Sequence, residues 1–407
     1  MCIVHSAVKN RLAKFCAITA ALLAMSISTS TSYGQIPRFG HVVIVVEENK
    51  GYSSVTWNPA MPYLNSLAQQ YGSATNYYAN THPSIGNYFM LTTGQLITNN
   101  DQFISRVTVD NIVRHLVSAG KTWKSYTEDL PSAGYIGGNV YPYVKHHNPF
   151  AYFSDVLDDP LQLQNIVPFS QFATDLAAGT LPDYSYIVPN LQNDGHDCPA
   201  GMLACTRTDK LSNIDQWLQT NIDPFIKSTF LQDGLLVITF DEANEIDVAN
   251  GGGHVAAVVV SPQVKWGGYQ AHALYQHQSV LRLMASGLGL TSFPGEADDA
   301  PDMAEFFGHS TWPCPAQNSL TFAVSFCAPS NGSTLTSPFQ LFAVTIANAP
   351  VTSLQLLVDG APFSEVSTSV IYSVVQLPIG PHLLTVRATN ASGQQAVSKA
   401  TVNIVPK

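Results

Sequence analysis

The sequence predicts an α/β domain built on a sheet of buried strands, followed by a small all-β sandwich. Three observations lead there. Short β-branched runs alternate with helical periodicity from residue 36 to about residue 310, the pattern of a sheet covered by helices. After about Thr311 the helical periodicity stops and short alternating strands separated by turn residues take over. Of 407 residues, 45% are hydrophobic and only 11% charged, against about 25% charged in average soluble chains, so a large core can be buried.

The buried runs are Val42–Val46, Thr122–Tyr126, Tyr184–Val188, Leu235–Phe240 and Val255–Val260. Each is nearly continuous in apolar character, as strands covered on both faces of a parallel sheet are. Between them Met61–Tyr71, Thr108–Ala119, Asn213–Phe230 and Tyr275–Gly287 carry helical spacing, and Tyr88–Leu91 is a shorter helical stretch. From Ala328 onward the strands are Phe339–Ile346, Ser353–Val358, Val370–Gln376, His382–Asn390 and Ala396–Val405, with Asp359-Gly360 and Ile379-Gly380-Pro381 as turns. About 80 residues of this kind suit an immunoglobulin-like sandwich.

The first 34 residues read as an export signal. Lys9, Arg11 and Lys14 precede an apolar run from Phe15 to about Ile27, and Ser32 and Gly34 flank a cleavage point before Gln35. The alternative is an N-terminal anchor helix, for which the run is short. Removal takes three bases and no acids, moving the net charge from −10 to −13. A secreted or periplasmic location follows as an expectation, with no integral membrane span later in the chain. Such an acidic chain is not a nucleic-acid binder working through a broad basic face.

Export also gives the cysteines a meaning. Cys2 and Cys16 leave with the signal, and four remain, which allow three pairings. Proximity favours Cys198–Cys205 and Cys314–Cys327. The second pair brackets the linker between a catalytic domain over 35–312 and a sandwich over 328–407.

Ligands of open α/β sheets bind beyond the carboxyl ends of the strands, and polar residues gather there. Glu47-Glu48-Asn49 follow the first strand, Asn193-Asp194-Gly195-His196-Asp197 follow Tyr184–Val188, and Asp241-Glu242 follow Leu235–Phe240. Gly251-Gly252-Gly253-His254 precede Val255. Carboxylate oxygens with imidazoles are ligands for a divalent cation. Ser84 in Thr81-His82-Pro83-Ser84-Ile85-Gly86-Asn87-Tyr88 stands before a helix, where it is either a simple cap or a nucleophile beside amides that favour an anion.

Val45-Val46-Glu47-Glu48-Asn49, Thr81-His82-Pro83-Ser84-x-x-Asn87-Tyr88, Pro189-Asn190 with Asp194-x-His196, and Asp241-Glu242 together resemble the bacterial and fungal phosphoesterase family. That family holds secreted acid phosphatases and phospholipase C enzymes of the alkaline phosphatase superfamily. Lys145-His146-His147-Asn148-Pro149-Phe150 and Tyr275-x-His277-x-Ser279-Val280-Leu281-Arg282 are similar to family segments as well, so the likeness runs from about residue 38 to 308. The acid phosphatase branch fits best, and secreted phosphatidylinositol-3-phosphate phosphatases resemble that branch. The arylsulfatase C-x-P-x-R motif is absent. Ser330-Asn331-Gly332 and Leu357-Val358-Asp359-Gly360 resemble bacterial Ig-like modules appended to secreted enzymes.

The resemblance implies an alkaline phosphatase-like sheet with helices on both faces. It implies metal positions at Glu48, Asn49, Asp241, Glu242 and Asp194, with the number and identity of the divalent ions left open. Ser84 becomes the nucleophile and His196 the proton donor to the leaving alcohol. His82, Asn87, His254, His277, Lys145 and His147 become contacts for the substrate phosphate. One departure stands beside the nucleophile: the family often has Gln-Pro or Glu-Pro after the serine, and this chain has Ile85-Gly86. The expected activity is hydrolysis of phosphate monoesters, phosphoinositides or other organic phosphates, through a phosphoserine. The alternatives are a phospholipase C-type phosphodiesterase and a non-catalytic extracellular binding protein. The Ig-like module is expected to contact a glycan or cell wall, or to act as a spacer.

Overall fold

The computed structural model describes residues 36–265, 268–307, 322–346, 351–366 and 370–406. The export signal and Cys314 lie outside the described residues. One eight-stranded sheet organises the larger part of the chain. Its strands are β1 (His41–Glu47), β2 (Gly72–Ala74), β4 (Trp123–Thr127), β5 (Ile166–Pro168), β6 (Tyr184–Val188), β7 (Gly234–Phe240), β8 (Ala257–Val260) and β9 (Tyr269–Ala271). Two short strands, β3 (Tyr77–Tyr78) and β10 (Tyr275–Gln276), pair separately. The spatial order is β5-β4-β6-β1-β7-β8-β2-β9.

The sheet is mixed, which corrects the expectation of a parallel one. β1 runs parallel to β6 and β7, but β8 runs against both β7 and β2. The apolar run at Val255–Val260 could not reveal its direction, because an interior strand is covered on both faces whichever way it points. The reversal matters for function. Thr239 lies opposite Ala257, so the start of β8, not its end, adjoins the carboxyl end of β7.

The helices are α1 (Pro62–Gln70), α2 (Ile85–Thr93), α3 (Ile112–Ser118), α4 (Ser170–Ala178), α5 (Arg207–Asn221) and α6 (His277–Gly287), with shorter turns between them. α1 packs on α5 and on β8, and α2 packs on α6. Caps set the helix boundaries. Asn111 accepts hydrogen bonds from the Val113 and Arg114 amides and starts α3 later than periodicity alone suggests. Thr206 and Asp209 form a reciprocal capping box that starts α5 six residues before Asn213. Pro224 follows soon after α5, and the expected run to Phe230 breaks into a short turn at Asp223–Ile226 and a 3₁₀ segment at Thr229–Asp233.

The core is centred on β1, β6 and β7, whose apolar side chains are buried almost without exception. Beyond it the chain forms a three-stranded sheet of β11 (Ala323–Ala328), β13 (Phe339–Ile346) and β16 (Val370–Val375). A five-stranded sheet holds β12 (Ser333–Thr336), β14 (Val351–Val358), β15 (Ala361–Val366), β17 (Gly380–Asn390) and β18 (Gln395–Val405). A second apolar cluster, including Leu341, Leu356, Ile371, Leu384 and Val402, joins residues of both sheets. β11, β12 and β15 were not among the expected strands. β12 and β15 are mostly exposed edge strands with little apolar alternation to betray them.

The Cys198–Cys205 disulfide is present, with the two Cα atoms 5.5 Å apart. Cys327 is buried and disulfide-bonded. No helix among the described residues is long and apolar enough to cross a membrane.

Phe150 ties the segment after β4 to the sheet. Its ring stacks on Trp123 at 5.1 Å and meets Tyr186 edge-on at 5.1 Å. It lies three residues after His147, so it also fixes that histidine. Phe150→Ala is expected to lower stability by about 3–5 kcal/mol in chemical denaturation, with Phe150→Leu losing markedly less.

Candidate active site

The site forms where the chain leaves β1, β6 and β7. Asp241 follows β7, and its amide donates to the Glu47 carbonyl at 2.9 Å. The Glu48 amide donates to the Asp194 carbonyl at 3.0 Å, joining the loop after β6. Asn49 takes a left-handed conformation with φ +56°, which asparagine tolerates better than most residues. That turn aims the Asn49 amide at Asp241 Oδ1, 3.1 Å away, and its side-chain nitrogen at Glu48 Oε1, 3.0 Å away.

Ser84 joins this group. It precedes α2 but has helical geometry (φ −49°, ψ −48°) and makes no capping hydrogen bond. Its hydroxyl donates to Glu48 Oε1 at 2.9 Å. The simple-cap alternative for Ser84 is therefore not what the hydroxyl does.

Glu48, Asp194 and Asp241 have no measurable exposure. Glu48 Oε2, Asp194 Oδ2 and Asp241 Oδ2 have no hydrogen-bond partner, nor does either ring nitrogen of His147. His147 stands between the carboxylates, with Nε2 3.5 Å from Glu48 Oε2 and Nδ1 3.6 Å from Asp194 Oδ2. Its ring stacks on Tyr88 at 4.7 Å. Ligand atoms of Glu48, His147 and Asp194 lie within 4.8 Å of one another. This buried group can hold a metal ion. Orphaned carboxylate oxygens and imidazole nitrogens at such spacing match the donors of a divalent cation, and buried polar atoms are otherwise almost always paired.

The electrostatics point the same way. Burial holds the Glu48 carboxyl well above the usual carboxylate range, and the charges of Asp241, Asp194 and Glu242 raise it further. Burial pushes Asp194 up to about 7 and also raises Asp241. Burial drops His147 to about 4. By itself the cluster therefore favours neutral acids and a neutral imidazole. A bound cation reverses the preference for the acids and suits a neutral imidazole ligand.

Glu242 sits in a neighbouring pair. Its Oε2 is 3.2 Å from His82 Nδ1 and 3.5 Å from the donor Asn87 Nδ2. Burial, then Asp241, pushes it up to about 10. Asn87 Oδ1 accepts from the Asn80 and Thr81 amides, so this asparagine braces the turn that carries His82. His196 is exposed, its amide bonded to Asp194 Oδ1 and its Nδ1 2.9 Å from Asp197.

Four residues stand differently from what the resemblance implies for a phosphate contact. His277 is fully buried, with Nδ1 on the Tyr77 hydroxyl at 2.7 Å and Nε2 on the Asp241 carbonyl at 2.6 Å. Both ring nitrogens are used inside the protein, where they position the Asp241 loop. His254 stacks between Tyr52 and Tyr78, with Nε2 3.1 Å from the Thr75 carbonyl. Lys145 gives its ammonium to the Ile136 carbonyl and lies over the Tyr152 ring. His147 sits with the candidate metal group. Asn49 enters as a donor to the acids.

Lys50 was missed. It is buried, and its ammonium donates to the carbonyls of Glu48, Asn49 and Gly195, clamping the loop after β1 to the loop after β6. A lone lysine beside Glu-Glu-Asn reads as a solvated charge, because its acceptors are backbone oxygens from distant positions.

Comparison with known proteins identifies the family. Residues 56–291 match the model of the phosphoesterase family. A phosphatidylinositol-3-phosphatase of Mycobacterium tuberculosis is 30% identical over 297 residues, covering 72% of this chain and 92% of that protein. A probable acid phosphatase of Kluyveromyces lactis is 31% identical, covering 57% of this chain and 54% of its own. A phosphate-repressible acid phosphatase of Penicillium chrysogenum is 28% identical, covering 63% and 62%. This chain thus spans less than two thirds of the length of these fungal relatives. Among solved structures, an alkaline phosphatase superfamily protein of Vibrio parahaemolyticus aligns with TM-score 0.48 at 12% identity, covering 89% of this chain and 82% of that one. A lipoteichoic acid synthase of Listeria monocytogenes aligns with TM-score 0.49 at 10% identity, covering 91% and 89%. The chain belongs to the phosphoesterase family, as a phosphoric ester hydrolase.

Proposed function

We propose that this chain is a secreted, metal-dependent phosphomonoesterase with Ser84 as nucleophile. The observation that carries the reading is the Ser84 hydroxyl at 2.9 Å from Glu48 Oε1, inside a buried cluster where Glu48 Oε2, Asp194 Oδ2 and Asp241 Oδ2 lack partners. Glu48, Asp194, Asp241 and His147 would hold the cation, with Asn49 and Glu242 at its margin. When bound, the cation supplies positive charge that lowers the serine pKa and neutralises phosphate oxygens.

This chain's own residues do the rest. The Ser84 hydroxyl is aimed by Glu48 and passes its proton to Glu48 Oε1 as Oγ attacks phosphorus in line. The phosphorus–oxygen bond to the alcohol breaks, and His196, exposed and oriented by Asp197, donates a proton to that alcohol. A phosphoserine forms, and water hydrolyses it to restore Ser84. His82 and Asn87 line the same turn and offer polar groups to the phosphate. Organic phosphate monoesters, phosphoinositides among them, are the proposed substrates. The mycobacterial relative's name supports that class. Residues 1–34 are proposed as an export signal. Residues 328–407, with two sheets on one apolar cluster, are proposed as an Ig-like module serving as a spacer or a glycan contact.

Ser84→Ala is expected to lower monoester turnover by at least about 10³-fold, with helical content and cation uptake unchanged. Wild-type turnover would sink the assignment. A bis-ester chromogenic substrate cleaved faster than its monoester would move the reading to a phospholipase C-type diesterase.

Metal removal gives a second expectation. In chelated protein the raised acids, Asp194 at about 7 and Glu242 at about 10, bind more protons folded than unfolded. Stability therefore falls as pH rises from their unfolded values of about 4 to these folded ones, so Asp194 has acted by about pH 7 and Glu242 continues to about 10. The lowered histidines His147 and His277, both at about 4 through burial, act with the opposite sign but only up to their unfolded value near 6.5. Above about pH 6.5 the histidines no longer offset the acids, and the buried Lys50, lowered by burial, is the opposing group that remains, so melting temperature should fall from about pH 7 to 9 where Glu242 dominates. A saturating divalent cation should remove that fall. A flat profile, or one the cation leaves unchanged, contradicts the metal site.

A further inference from the structure

We infer that Asp101 is a positioning residue for the nucleophile: it caps the helix that starts at Ser84 and so leaves the serine hydroxyl for Glu48 and the substrate. The inference rests on the reading of Ser84 as nucleophile.

The first amides of a helix have no partner within it, and a serine at this point normally turns its hydroxyl back to accept from one of them. Ser84 does not. Its backbone is already helical, it makes no capping bond, and its hydroxyl is committed to Glu48. The preceding Pro83 has no side-chain acceptor to offer. The Ile85 amide is instead satisfied by Asp101 Oδ1 at 3.1 Å, sixteen residues along the chain. A carboxylate here also meets the positive end of the helix dipole.

The route of the chain makes this possible. A Cβ on Gly86 would fall 2.6 Å from Asn99 Oδ1, 3.2 Å from the Thr98 carbonyl and 2.5 Å from Thr81 Cγ2. The Ile85-Gly86 pair after the serine is thus what lets the Thr98–Asp101 loop lie against the start of α2. That loop is braced within itself, by the Asn100 amide on Thr98 Oγ1, the Gln102 amide on Asn100 Oδ1 and the Phe103 amide on the Asn100 carbonyl. The Asp101 charge also acts on Glu242 and on His146, although Asp101 belongs to neither the acid cluster nor the His82 turn. With the cap lost, the Ile85 amide is left without its acceptor, and the first turn of α2, which holds the Ser84 hydroxyl on Glu48, loses an anchor.

The test compares Asp101→Ala with Asp101→Asn, which keeps an Oδ1 acceptor. Asp101→Leu keeps the volume without an acceptor and replaces the alanine variant if that one does not fold. Misplacing a nucleophile by about 1 Å costs on the order of 10²-fold. The acceptor-free variant should therefore lose roughly 10- to 100-fold in kcat per folded molecule, with KM within about 3-fold. Orthovanadate, which must bond to the nucleophile, should bind more weakly by a similar factor, while inhibition by inorganic phosphate stays within about 3-fold. Asp101→Asn should restore kcat to within about 3-fold of wild type. A merely structural loop would lower melting temperature without this split between kcat and KM. Wild-type kcat in the folded acceptor-free variant, or an asparagine variant as poor as it, overturns the inference. Full activity of Ser84→Ala would instead overturn the nucleophile assignment, so the two failures are told apart.

Discussion

Carboxylates buried at the carboxyl edge of the sheet are the constraint on which the rest of the site depends. Taking an ionised acid out of water costs several kcal/mol unless a partner compensates, and Glu48, Asp194 and Asp241 are wholly buried within one small volume. The nearby basic groups do not pair with them as charges. Lys50 spends its ammonium on three carbonyls, and burial keeps His147 uncharged in the neutral range. The fold holds the oxygens in place, where burial favours their neutral forms and their spacing could hold a metal ion. Ser84 on Glu48, His277 on the Asp241 carbonyl and Lys50 across two loops all serve to keep that arrangement fixed.

The topology decides which loops can meet there. β1 lies between β6 and β7 and parallel to both, so their three carboxyl ends open on one edge. The reversed β8 then returns the glycine-rich segment before it to the same edge. There the Gly252 amide donates to the Ala79 carbonyl at 3.1 Å, and the Gly252 carbonyl accepts from the Ala243 amide at 2.9 Å. Gly251 and Gly253 have positive φ, and a Cβ on Gly251 would meet the Asn80 carbonyl at 1.9 Å. Those glycines are a packing requirement of the turn that carries His82 and Ser84. His254, next to them, is held by two tyrosine rings for the same architectural reason.

Much of the site was legible because it follows a simple rule: acids placed directly after buried apolar runs have few ways to stay unless they do chemistry. Glu48 and Asp241 are found that way, Asp194 by the polar cluster in the loop after β6 and by the resemblance, and Ser84 by its motif. The histidines were legible as residues but not by position. His147, His254 and His277 look alike in sequence, yet one stands among carboxylates, one in an aromatic stack and one under a backbone carbonyl. What separates them is which neighbour each ring nitrogen meets, and those neighbours lie up to 200 positions away. Asp101 and Lys50 left no signal for a related reason. Each acts on backbone groups, which every residue has.

The amino-acid sequence by itself determined the buried strands β1, β4, β6, β7 and β8, the residues at their ends, the likeness to phosphoesterases and the position of the candidate nucleophile, because burial and turn chemistry are local and leave periodic or short-range marks. Only the tertiary structure decided that β8 runs backwards, that His147 joins the acids and that Asp101 accepts from the first amide of the helix behind the candidate nucleophile. Those outcomes depend on which surfaces pack together and which orphaned donors find acceptors, and no local pattern carries that information.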